Sequence, residues 1–78
     1  MINFLIRSEI KKVLTELMYQ LHLLDSVACM LEQQMYMEDD EMKHKQTQAE
    51  LNEVEDFIKG AKEKIENFAL IIGVKING

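Results

Sequence analysis

The stretch "MYMEDDEMKHKQ", residues 35–46, holds four carboxylates and a histidine in the middle of a 78-residue chain. Read as the end of one helix, a tight turn and the start of another, it makes the chain a hairpin. Read as uninterrupted helix, it makes the chain a rod. The apolar residues on either side decide between the two.

Upstream, apolar side chains recur at Ile10, Leu14, Leu17, Leu21, Leu24, Ala28, Leu31 and Met35, in alternating steps of four and three. Downstream, a second series runs through Leu51, Val54, Ile58, Ala61, Ile65, Phe68 and Ile72, with Thr47 one step before it. Such spacing is the heptad pattern of helices packed at a shallow angle. Extending the first series past Met35 leads to Glu38, Met42, Lys45, Ala49 and Asn52, which are mostly polar and miss the second series. The broken phase disfavours a continuous seam. A return near residue 41 instead sets Met35 beside Thr47, Leu31 beside Leu51, Leu21 beside Ala61, Leu17 beside Ile65, and Leu14 beside Phe68. The expected fold is therefore all-α: a two-helix antiparallel hairpin with coiled-coil-like heptads. The helices are expected over about 4–36 and 42–72, with a turn at about 37–41 and a short tail at 73–78, all in one domain spanning 1–78.

Composition agrees with this. The chain has no proline and three glycines, and its commonest residues are helix formers. The acids of the turn have a local explanation, because Asp39 or Asp40 can cap the second helix and Glu41 suits the positive end of its dipole. Gly73 reads as a left-handed helix stop. A single cysteine, Cys29, cannot form an internal disulfide, and the N-terminal apolar run Phe4–Ile6 is far too short for a signal or a membrane span. A soluble, cytoplasmic protein is the expectation.

The first helix carries more apolar surface than one neighbour can cover. Ile6, Val13, Leu23, Val27 and Met30 widen its stripe, and Phe57, Leu70 and Ile71 do so on the second helix. A further apolar end combines Ile2, Phe4, Leu5, Leu70, Ile71, Val74 and Ile76. Soluble monomers avoid such surface, so the chain is expected to associate, most simply as two hairpins forming a four-helix bundle. Charge adds a direction. Residues 25–56 hold ten carboxylates against Lys43 and Lys45, a net of −8. The remaining residues hold seven basic side chains against four acids, a net of +3, which recovers the total of −5. Dipolar rods of this kind favour a head-to-tail homodimer, acidic turn beside basic termini.

Motifs for chemistry are few. Glu41-Met42-Lys43-His44 has the E-x-x-H spacing of di-iron bundles. It lies at the turn, however, and the first helix places no carboxylate on its seam, so no metal or cofactor is expected. His22 lies outside the apolar arc, Cys29 borders it as an expected buried, inert thiol, and Tyr19 is the first-helix aromatic expected to face solvent. Gly60, beside the Leu21–Ala61 layer, either lets another helix approach or is a tolerated defect. With no phosphate loop and no nucleophile–base pair, the chain is not expected to be an enzyme.

The expected function is that of a small protein-binding module: an adaptor, regulator, inhibitor or chaperone-type partner, with an unidentified protein as its possible target. Two alternatives are weaker. One is nucleic-acid binding through Arg7, Lys11, Lys12, Lys62 and Lys64, although acids alternate with these cations and no aromatic platform accompanies them. The other is an acidic decoy that imitates nucleic acid with the turn half.

Overall fold

The computed structural model describes residues 3–76. Met1, Ile2, Asn77 and Gly78, part of the expected domain, lie outside the described residues. Helix α1 spans Phe4–Met37 and α2 spans Glu41–Ile72, 34 and 32 residues long. They pack against each other along a shape 56 Å long, 16 Å wide and 12 Å thick, measured over Cα atoms.

Each helix end is finished locally. The Asn3 side chain accepts a hydrogen bond from the Ile6 N–H at 3.0 Å, satisfying one of the unpaired donors that open α1. Glu38 closes it, its N–H donating to the Met35 carbonyl at 3.2 Å. The turn has three residues, 38–40, rather than the five expected over 37–41. Glu38 shortens it by folding its carboxylate back to accept the Asp40 N–H at 3.1 Å. One Asp40 carboxylate oxygen then accepts from Met42 N–H at 2.9 Å and Lys43 N–H at 3.3 Å, which starts α2.

At the far end Gly73 takes the left-handed conformation, φ 75°. Its N–H donates to the Leu70 carbonyl at 3.2 Å, and that of Val74 to the Ala69 carbonyl at 3.0 Å. This paired closure is a Schellman stop.

The core is a single stripe. Leu14, Met18, Leu21, Ala28 and Met35 are buried on α1, and Leu51, Ile58 and Ala69 on α2. The expected seam needs correction at two layers. Leu17 and Phe68 keep 46% and 42% of their surface exposed, while Met18 and Ala69 keep 4% and 3%. Two helices in contact cover one side of each seam only; the side holding Leu17 and Phe68 has no third element over it. Among the described residues no large side chain is completely buried. The hairpin thus makes half a core, thin for a chain of this size.

Candidate interaction face

On each helix the residues beside the buried stripe fall into two flanks, set by the seven-residue repeat. One flank of α1 carries Ile6, Ile10, Val13, Leu17, Leu24, Val27 and Leu31, interrupted by Gln20. The matching flank of α2 carries Val54, Phe57, Ala61, Phe68 and Ile71, interrupted by Glu50 and Lys64. In an antiparallel pair these flanks lie on the same side of the hairpin. Two apolar grooves confirm this placement: one is lined by Ile6, Ile10, Val13, Leu14 and Phe68 with Leu5 and Glu9. The other is lined by Leu17, Leu21, Leu24, Phe57, Ala61 and Ile65, with Gln20 and the Lys64 stem at its edge.

The opposite flanks are polar. They hold Ser8, Lys11, Thr15, His22, Asp25, Cys29 and Glu32 on α1, and Lys45, Gln48, Asn52, Glu55, Lys59, Lys62 and Glu66 on α2. Gln48 donates to Asn52 at 2.9 Å on this side. The hairpin is two-sided, one broad face apolar and the other hydrophilic.

The eight residues expected at a protein interface do not all share that face. Ile6, Val13, Val27, Phe57 and Ile71 do, and all are exposed, Phe57 at 62% and Ile71 at 82%. Leu23 lies further round α1. Met30 lines a shallow hollow with Gln33, Gln34, Met37 and Glu38 near the turn. Leu70 belongs to another hollow, with Glu66, Ala69, Val74 and Ile76 near the termini. Sequence reasoning missed Leu17 and Phe68 as members of the face, because their spacing placed them in the hairpin's own seam.

The five cations of the nucleic-acid alternative are dispersed. Arg7 and Lys11 border a cleft with Phe4, Ser8 and residues 73–75. Lys12 pairs with Glu9 at 3.2 Å, and Lys64 sits on the apolar groove away from them. Such exposed pairs contribute little to stability.

The remaining candidates are quickly placed. Cys29 is exposed rather than buried, a correction that follows from its position on the polar flank. His22 and Tyr19 are exposed, though Tyr36 and Phe4 are more so than Tyr19. A Cβ added at Gly60 would meet nothing within 4 Å. Glu41 pairs with Lys45 at 3.7 Å. Among the described residues no group of three His, Cys, Asp or Glu is disposed to hold a metal ion, and no helix is long and apolar enough to cross a membrane. Comparison with known proteins returned no match to a family model, a curated protein or a solved structure.

Proposed function

We propose that this chain is a non-catalytic protein-interaction module that works as a homodimer, two hairpins joining through their apolar faces into a four-helix bundle. The copies lie head to tail, acidic turn beside basic termini, and the bundle serves as an adaptor, regulator, inhibitor or chaperone-type partner of another protein. One observation carries this reading. One flank of each helix leaves Ile6, Val13, Val27, Phe57 and Ile71 exposed on the same face, with Leu17 and Phe68 half-exposed between the helices. Covering that face would complete a second layer of core, as pairs of helices do in bundles.

Light scattering over a wide concentration range tests the reading. A mass of twice 9.1 kDa that persists on dilution is expected. A well-folded monomer at all concentrations would overturn self-association, and the same face would then have to be covered by a different protein.

A further inference from the structure

The spacing of the residues on the apolar face fixes where a second copy lies. This inference rests on the dimer reading above and adds the position of its symmetry axis and the residues that meet across it.

Consider the apolar row of that face next to the buried stripe on each helix. On α1 it runs Ile10, Leu17, Leu24, Leu31, and its midpoint falls between Gln20 and Leu21. On α2 it runs Val54, Ala61, Phe68, and its midpoint is Ala61. Leu21 and Ala61 line one groove together, so the two midpoints stand at nearly the same level along the hairpin. That level is also close to the middle of the 56 Å rod. A two-fold axis across the face at that level therefore matches both rows at once, while overlapping the copies over their whole length.

We infer that the second copy packs face to face about an axis passing at Gln20 and Ala61, α1 on α1 and α2 on α2, every neighbouring pair of helices antiparallel. In this arrangement Gln20 meets Gln20 of the second copy, and Val13 meets its Val27. Phe57 stands four residues to the turn side of Ala61, so its copy arrives four residues to the other side, at Ile65 and Leu17. That is the groove left open in the hairpin, and the Lys64 stem borders it. The aromatic ring fills the groove beneath an aliphatic stem whose ammonium stays in water. Ile71 falls opposite the Glu50 stem at the rim.

Three further observations favour a second copy as the occupant. The half holding the turn, net −8, comes to lie on the half holding the termini, net +3. The whole hairpin has a footprint of 56 by 16 Å over its Cα atoms, ~900 Å² as a plain rectangle, long and wide enough to hold the about 800 Å² that each partner gives to a stable interface. Gln20, the one polar side chain at the axis, can hydrogen-bond to its own copy only in this register, a device that selects one alignment over slipped ones.

Thiol cross-linking tests the axis. In a Cys29→Ser chain, Gln20→Cys should be joined into covalent dimers almost completely by a short bis-maleimide. Val13→Cys alone and Val27→Cys alone should stay largely unlinked, and a mixture of those two chains should link. Light scattering of each chain before linking separates the two levels of the argument. A dimeric mass without Gln20→Cys linkage overturns the axis and leaves the dimer standing. A monomeric mass for the Cys29→Ser chain overturns the dimer and the axis with it.

Discussion

Met18 is buried and Leu17, its neighbour in the chain, faces the open groove, at 4% and 46% exposure. The two side chains point to different partners, one to α2 of the same chain and the other out of the hairpin. Met18→Ala is therefore expected to lower the stability of the fold itself, by about 2–4 kcal/mol as for other large-to-small changes at buried positions. Leu17→Glu is expected to leave helix content intact and shift the mass from dimer to monomer. Circular dichroism together with light scattering on both variants checks the division of labour. Equal loss of helix in both would contradict it.

Asp40 holds the first turn of α2 through two backbone N–H groups. Replacing it with alanine leaves both donors to water and should cost about 1 kcal/mol. Asp40→Asn, which keeps an acceptor, should recover most of that. Thermal denaturation of the pair reads the difference directly.

The two described glycines of α2 and its cap should respond in opposite directions. Gly60 is inside the helix with open space where a Cβ would go, so Gly60→Ala should stabilise by about 0.5–1 kcal/mol. Gly73 has positive φ, and Gly73→Ala should destabilise by about 1 kcal/mol as the left-handed stop becomes strained. Urea titrations of both, compared at the same protein concentration, measure the signs. Destabilisation by Gly60→Ala would mean that the second copy's α2 comes too close at that position to admit a Cβ.

Salt should weaken association without unfolding the helices. The attraction between the acidic and basic halves is carried mostly by exposed side chains, and at 1 M salt the screening length falls to about 3 Å. A dimer dissociation constant that rises several-fold between low and high salt, measured by sedimentation, is the expected result. A salt-independent constant would remove the electrostatic argument for head-to-tail pairing.

Cys29 should react with a thiol reagent in the native state at a rate near that of the denatured chain, since its side chain lies on the exposed polar flank. Strong protection of the folded protein would show that this flank, too, is covered in solution.

The existence of two helices and the return between them were legible because the heptads on either side of the turn are out of phase. The turn's length was harder to read. It depends on Glu38 bending back to Asp40, a contact between side chain and backbone that no periodicity encodes. The misread layers have a more instructive cause. From Leu14 to Leu21 the chain offers two routes, three then four through Leu17 or four then three through Met18. From Ile65 to Ile72 it offers the same choice between Phe68 and Ala69. Spacing ranks the routes equally, and hydrophobicity favours the leucine and the phenylalanine. The hairpin buries the other member each time, because two helices cover one flank and leave the more hydrophobic side chains on the other. Of the eight residues expected at an interface, Ile6, Val13, Val27, Phe57 and Ile71 share the exposed apolar flank, as their spacing predicts, whereas Leu23 lies further round α1 and Met30 and Leu70 line other hollows.

The three-residue turn and the Schellman stop at Gly73 bring the entry of α1 and the exit of α2 to the same tip. A pull applied between those two points would not stretch all layers of the hairpin together. It would load the layer nearest the tip, at Ile10 and Ile72, and pass to the next only when that one had parted. Such a chain resists tension like a zip rather than like a lap joint, giving way at low force and in sequence. Its mechanical strength therefore lies in whatever clamps the tip.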